Sequence, residues 1–218
     1  MIAGVIAGGR PYSASGAPAI PTAGLITRYT MGHISGATLI DEMGNHDGTI
    51  IGATTSTGPT GASLYFTTAS TTYIETNEKF DFIHKTGMCS FNCWLKADAY
   101  DDGSGYVFAG STLTNSEIGS FFIYEDRSVA SADKKIAATL FNGVPTDLAP
   151  PAVCGTNDTQ PASGWALITA EGDGTTVRIY KNNVAVSSAT IGTLSASSAT
   201  RTMRIGVANY SSRVLPWK

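Results

Sequence analysis

Several short stretches carry side chains that could do chemistry, and the acidic turn DEMGNHDG is the first of them. It places Asp41, Asn45 and Asp47 close together, and oxygen ligands of this kind are the ones that calcium takes. The same residues are typical of a turn whose Asx side chains accept hydrogen bonds from their own backbone. No glutamate closes the loop at the twelfth position, as an EF-hand requires. We therefore expect a structural turn, with calcium as the alternative and no other cofactor.

Carboxylates elsewhere in the chain do not form a recognisable catalytic pair. Glu125 and Asp126 are adjacent, so they point to opposite faces of a strand. Glu75 and Glu78 are three positions apart, an odd spacing that also places them on opposite faces. The histidines are isolated in the sequence, and neither a nucleophile elbow nor a phosphate-binding loop is present. We expect no enzyme. A second acidic loop, ADAYDDGSG, allows the same two interpretations as the first with weaker support; its carboxylates are Asp98, Asp101 and Asp102.

The three cysteines, Cys89, Cys93 and Cys154, are an odd number, so they cannot all pair within one chain. Cys89 and Cys93 lie in an alternating apolar stretch, which favours core thiols over a metal site. No CxxC pair or His-rich tract supports zinc.

Aromatic side chains are the other candidates for contact with a ligand, because sugars bind to aromatic faces flanked by amide and hydroxyl groups. In the strand CSFNCWLKA, Trp94 alternates onto the polar face with Ser90, Asn92 and Lys96. Packing beneath a loop or an N-terminal arm is the favoured interpretation of Trp94, and a ligand platform is the alternative. The candidate binding aromatics are Trp94, Tyr100, Tyr106, Tyr124 and Tyr210.

Composition and pattern indicate the elements that would position these residues. Only 14% of the residues are charged, the net charge is −3 and the basic residues are scattered, which argues against nucleic acid or a membrane surface as partner. The N-terminus lacks a basic n-region, and no apolar run is long enough to span a bilayer. Residues 1–24, rich in Gly, Pro and Ala, predict an extended arm. Residues 25–218 predict one all-β domain, an antiparallel two-sheet sandwich with little helix.

The stretch GWALITAEGDGTTVRIYKNNVAV shows the pattern most clearly. It predicts a strand with Ala166, Ile168 and Ala170 on one side, a turn at EGDG, and a second strand with Val177 and Ile179 on one side. A further turn is expected at Lys181-Asn182-Asn183, because asparagine tolerates left-handed backbone angles. The result is a three-stranded meander.

The order of these pieces resembles the laminin-G-like branch of the concanavalin A-like lectin and glucanase superfamily over about residues 25 to 217. The residues that carry the resemblance are the turn at 41–48, the GASLYF strand at 61–66, the strand at 91–95 and the Trp-led hairpin at 165–183. The resemblance implies a jelly-roll sandwich of two curved sheets, with the hairpin as scaffold and its Trp and Tyr as packing residues. The family's last strand has no counterpart after Trp217. Either the sequence is incomplete, or the edge left beside LITRYTM is covered by the arm or by another chain. The candidate residues at this edge are Leu25, Ile26, Tyr29 and Trp217.

Two functions from different classes follow from these features. The first is a non-enzymatic structural protein of a virion, a capsid decoration or tail component of a tailed bacteriophage that contacts other virion proteins, copies of itself and host-surface glycans. The low charge, the arm and the missing edge strand favour it. The alternative is a free bacterial carbohydrate-binding or adhesion module, secreted or at the cell surface.

Overall fold

A computed structural model describes part of the chain in detail. The described residues are 2–6, 25–66, 72–80, 82–96, 106–109, 121–126, 135–140, 153–154, 164–191 and 202–206. The backbone alone is described for residues 2–6, 84–85, 106–109, 121–126, 135–140 and 153–154.

These residues form sixteen strands and one helical turn, numbered in chain order. The first eight strands are β1 Ile2–Ile6, β2 Arg28–Ser35, β3 Thr38–Asp41, β4 Gly48–Ile51, β5 Thr54–Gly58, β6 Gly61–Tyr65, β7 Tyr73–Glu75 and β8 Met88–Leu95. The remaining strands are β9 Tyr106–Ala109, β10 Phe121–Asp126, β11 Lys135–Leu140, β12 Val153–Cys154, β13 Ala166–Asp173, β14 Thr176–Lys181, β15 Val184–Thr190 and β16 Arg204–Ile205. The helix α1 spans Phe82–Thr86. Among the described residues no helix is long and apolar enough to cross a membrane.

All pairs among the described strands are antiparallel, which confirms the predicted fold class. The hydrogen-bonded order is β12-β11-β10-β9-β16-β7-β4-β3-β2-β1-β8-β13-β14-β15, and the β5–β6 hairpin joins this path through the pairing of β6 with β1. The path doubles over on itself, because β11 and β12 lie beside β14 and β15 at its other end. Two layers therefore face each other, as in a β-sandwich.

The core lies between these layers and draws on both. Tyr29, Leu39 and Ile74 come from one part of the path, and Leu95 and Ile179 from the other; all five belong to a single buried cluster. Each is fully buried. Burial of alternate residues is the reason that these short, β-branched and aromatic stretches become strands.

The meander at residues 164–191 confirms the predicted alternation and one of its two turns. Ala166, Ile168, Ala170, Val177 and Ile179 are all buried on the core side. The second turn lies at Asn182 and Asn183, both with positive φ. The first turn lies later than the predicted EGDG, since β13 continues through Glu171 and Gly172 to Asp173 and β14 begins at Thr176.

The predicted arm contributes a strand to this sheet. β1 lies between β2 and β8, and residues 7–24 are outside the described residues. Tyr29 in β2 pairs with Val5 on one side and with Asp41 on the other, and its side chain is fully buried. Tyr29 is therefore not at an open edge, and the pairing corresponds to the alternative in which the arm covers β2. Ile26 is exposed and Leu25 is half-buried, while Trp217 lies outside the described residues.

Candidate functional site

The side of β8, β13 and β14 that faces away from the core carries polar and aromatic side chains, and we call this side the outer face. Its residues alternate with the buried core residues along each strand, as a period of two requires. The outer face consists of Ser90, Asn92 and Trp94 from β8, Leu167, Thr169 and Glu171 from β13, and Arg178 and Tyr180 from β14.

Strand register arranges these side chains in rows across the sheet. Asn92 is opposite Thr169, which is opposite Tyr180, so these three form the central row. Trp94 and Leu167 are paired in the next row along the strands. Because neighbouring strands are about 4.8 Å apart, Trp94 and Tyr180 lie two strands, or about 10 Å, apart across the sheet.

Asn92 is at the centre of a hydrogen-bonded chain on this face. The Thr169 hydroxyl donates to Asn92 Oδ1 at 2.5 Å, and Asn92 Nδ2 donates to Ser90 Oγ at 3.3 Å. Asn92 is only 8% exposed, so its amide is held in one orientation. A fixed amide beside hydroxyl groups offers both donors and acceptors for the hydroxyls of a bound molecule.

Two aromatic side chains flank this amide. Trp94 and Tyr180 are both half-buried, and Tyr180 Oη donates to Glu171 Oε2 at 3.2 Å. Desolvation and this bond to the Glu171 carboxylate raise the pKa of Tyr180, so its hydroxyl stays protonated. The sequence had indicated that the hairpin tyrosine packs as scaffold, whereas the structure places it on the outer face.

Glu171 and Asp173 are at alternate positions of β13. The sequence does not reveal them as a pair on one strand, because its pattern predicts a turn at EGDG, which contains both residues. Asp173 Oδ1 accepts from Thr175 N at 2.9 Å and from Thr176 N at 2.7 Å, and Arg178 Nη1 lies 2.6 Å from Asp173 Oδ2. The hydrogen bonds from Arg178 and Thr175 lower the pKa of Asp173. Its carboxylate caps the turn and is held ionised, which is the opposite of a glycosidase acid.

The acidic turn at 41–47 is built around the carboxylate of Asp41, which is 2% exposed. Oδ1 accepts from the backbone N–H of Arg28 at 2.8 Å and of Met43 at 3.1 Å. Oδ2 accepts from the backbone N–H of Asn45 at 3.2 Å and of His46 at 3.1 Å. Both oxygens therefore already face donors.

Asp47 and the amide nitrogen of Asn45 also form hydrogen bonds within the turn. Asp47 Oδ1 accepts from Asp41 N at 2.8 Å, and Asn45 Nδ2 donates to Met43 O at 3.2 Å. A cation would have to displace backbone donors from Asp41, so the residues present do not fit calcium and form an Asx-type cap instead. Within the part of the chain that the structure describes, no three His, Cys, Asp or Glu side chains are grouped so that they could hold a metal ion.

The two cysteines with described side chains lie on the core side of β8, where the sequence predicted them. Both are free thiols, and Cys93 is fully buried. Burial raises the pKa of Cys89 to about 12 and raises that of Cys93 further. Neither thiol is therefore activated as a nucleophile.

A second polar cluster lies where β7 and β16 pair. Arg204 Nε is 2.8 Å from Glu75 Oε2, and the Arg204 guanidinium lies 4.2 Å from the centre of the Tyr73 ring. Thr202 Oγ1 also donates to Glu75. The cluster joins two strands that are 127 residues or more apart in sequence, and each charged group in it has a partner. We interpret it as a structural tie.

The predicted site residues are only partly placed. Of the aromatic candidates, Trp94 lies on the outer face, Tyr106 and Tyr124 belong to β9 and β10, whose backbone alone is described, and Tyr100 and Tyr210 lie outside the described residues. The predicted acidic loop at 98–102 also lies outside them. Register, which the sequence does not reveal, is what brings Asn92, Thr169 and Tyr180 beside Trp94.

The described strands form an antiparallel sandwich, and one of its sheet faces carries polar and aromatic side chains. A laminin G family model, described as concanavalin A-like lectin/glucanases superfamily, matches residues 66–217, which is more than half of the chain. The chain belongs to this superfamily, as the resemblance implied, although the match begins at residue 66 and not at residue 25. A search of curated proteins found no match. A lectin-like domain of this kind is compatible with carbohydrate binding.

Proposed function

We propose that the chain is a non-catalytic glycan-binding domain and that the outer face holds the glycan. The observation that carries the proposal is the row of Asn92, Thr169 and Tyr180 beside Trp94. An aromatic face stacks on the C–H surface of a sugar ring, and an amide with neighbouring hydroxyls exchanges hydrogen bonds with the sugar hydroxyls. The central amide is preorganised by Thr169, so less conformational entropy is lost when a ligand binds.

The absence of catalysis is part of this proposal. A retaining glycosidase needs two carboxyl groups about 5 Å apart, one of them with a raised pKa. Strand β13 carries the alternating pair Glu171 and Asp173, but Asp173 is engaged by Arg178 and by the turn, and its pKa is lowered. The Asp173 carboxylate is therefore held by Arg178 and the turn and is not free to attack a sugar as a nucleophile. Glu171, which accepts from Tyr180, remains available to accept a sugar hydroxyl.

The test is glycan binding by the full chain and by single outer-face variants. Trp94→Ala and Asn92→Ala should each weaken binding by about 10- to 100-fold, because stacking and a desolvated hydrogen bond each contribute about 1–3 kcal/mol. Val184→Ala is the matched control, since Val184 is 65% exposed and lies on β15, which contributes no residue to the outer face. Binding is measured on a polysaccharide panel and then by calorimetry, with the melting temperature as a check on folding. Equal binding by all variants would show that the glycan site lies elsewhere.

A second role, as a structural component of a virion that binds other virion proteins and copies of itself, is favoured by a different observation. Strand β1 comes from the predicted arm and is joined to β2 by a long Gly- and Pro-rich segment, which suits a chain that attaches to neighbours. Light scattering on the purified full-length protein tests it. A symmetric oligomer or particle-sized species supports this role and a virion location. A stable monomer favours the free module, secreted or at the cell surface.

A further inference from the structure

Strand β1 occupies an interior position of the sheet, with a strand on each side. On one side, Val5 pairs with Tyr29 of β2, and Ile2 pairs with Leu64 of β6. On the other side, Val5 pairs with Cys93 and Ile2 pairs with Leu95, both in β8. Strand β1 therefore forms backbone hydrogen bonds with three other strands, β2, β6 and β8. Without β1, each of these strands would have an unpaired edge.

Four of the six residues paired with β1 belong to the core. Tyr29, Leu64, Cys93 and Leu95 are each no more than 1% exposed. We call the space between β2, β6 and β8 the β1 slot. A strand that enters the β1 slot gains two rows of backbone hydrogen bonds, one with β2 and β6 and one with β8, and it lies beside core residues on both sides.

The connection from β1 to β2 is far longer than this geometry needs. Ile6 and Arg28 are direct partners across the antiparallel pair, and a hairpin of about two residues would join them. The chain has 21 residues there instead, including Pro11, Pro18 and Pro21. Extended, they reach up to about 70 Å, whereas a domain of this size is about 45 Å across. The connection can therefore reach the β1 slot of an adjacent copy.

We infer that β1 is an exchangeable strand, which at high local concentration enters the β1 slot of a second copy of this chain. The partner is another copy because the β1 slot is already matched to this sequence, and identical contacts form within a chain or between chains. Only the connection decides between the two arrangements. A connector of about twenty residues holds its strand at an effective concentration of about millimolar, so copies packed at or above that concentration compete for the slot. The inference goes beyond glycan binding and does not depend on it.

A disulfide trap tests the exchange with the full chain. The tested variant carries Val5→Cys and the native Cys93, with Cys89 and Cys154 changed to Ala. Directly paired residues have Cα atoms about 4.5–5.5 Å apart, which suits a disulfide. The chain is unfolded, refolded under oxidising conditions and resolved on a non-reducing gel and by intact mass. Ile6→Cys in the same background is the matched control, because Ile6 pairs with Arg28 and not with Cys93.

Exchange predicts that refolding at about 1 µM gives mostly internally linked monomer. Refolding at about 1 mM should give at least ten times more disulfide-linked dimer than refolding at about 1 µM. The Ile6→Cys control should give neither product above background. Internal links alone at both concentrations would overturn the inference, since β1 would then pair only within its own chain. Should Val5→Cys fail to fold, Ala3→Cys with Trp94→Cys in a background without the native cysteines tests the next pair of β1 and β8, on the other side of the register shift between Ala3 and Val5. No link in a folded protein would also contradict the inference.

Discussion

Removing the carboxylate of Asp41 should unfold the acidic turn and cost several kcal/mol of stability. Asp41→Ala leaves four backbone N–H groups without their acceptor, those of Arg28, Met43, Asn45 and His46. At a net contribution of about 1 kcal/mol for each of the four lost bonds, we expect a loss of about 3–5 kcal/mol. For a chain of this size that corresponds to a melting temperature about 6–20 °C lower.

Asn45→Ala is the control that separates a cap from a calcium site. The Asn45 side chain is exposed and makes one bond to Met43 O, so its removal should change stability by no more than about 0.5 kcal/mol. If the turn bound calcium, both Asp41 and Asn45 would be needed, and the ion would raise the stability of the wild-type protein by mass action.

Urea unfolding and calorimetry, each with calcium and with a chelator, measure all three proteins. We expect Asp41→Ala alone to be destabilised, and calcium to leave every curve unchanged. A calcium-dependent rise in the wild-type melting temperature that both variants abolish would refute the cap. A loss below about 1 kcal/mol in Asp41→Ala would show that the counted hydrogen bonds contribute little.

Three further outcomes follow from packing and ionisation. Gly172→Ala should destabilise the protein by about 2 kcal/mol or more in urea unfolding, because its Cβ would lie 2.3 Å from Gly87 O; Gly164→Ala, which meets nothing within 4 Å, should be near neutral. The melting temperature should fall as pH rises above about 8.5 toward 12, because the Cys89 thiol ionises at a lower pH in the unfolded chain than in the folded one. Cys89→Ala should make this decline shallower. In acid, the stabilising contribution of Asp173 should be lost as pH falls below about 3.9, because its folded pKa lies below the unfolded value, and Asp173→Asn should remove this dependence.

The fold class could be predicted from the sequence because local rules were sufficient for it. The alternation of Ala166, Ile168 and Ala170 fixed one face of β13 as core, and the two asparagines at 182–183 fixed a turn that needs positive φ. The turn after β13 was misplaced because Gly172 in EGDG looks like a turn residue. In the structure it lies within a strand, where the backbone of Gly87 comes too close for a side chain.

The pairing of distant strands could not be predicted in this way. Residues 1–24 looked like an arm because Gly, Pro and Ala dominate them, yet Ile2–Ile6 pairs with three strands. The outer face was seen only in part, since Trp94 and Asn92 alternate visibly along one strand. Thr169 and Tyr180 join them through register, a long-range property that no local pattern carries.

Strand β1 links the two proposals, because Ala3 is paired with Trp94 at the border of the outer face. If β1 comes from a second copy, that copy supplies the backbone beside the aromatic proposed to stack on the glycan. Exchange would then hold several outer faces in one assembly. Linked sites bind a repeating polymer more tightly than a single site does, even though each site makes the same contacts as before. Wild-type protein refolded at about 1 mM should accordingly bind a polysaccharide more tightly than protein refolded at about 1 µM, yet bind a monosaccharide equally well. A monosaccharide affinity that also changes would mean that β1 alters the site itself.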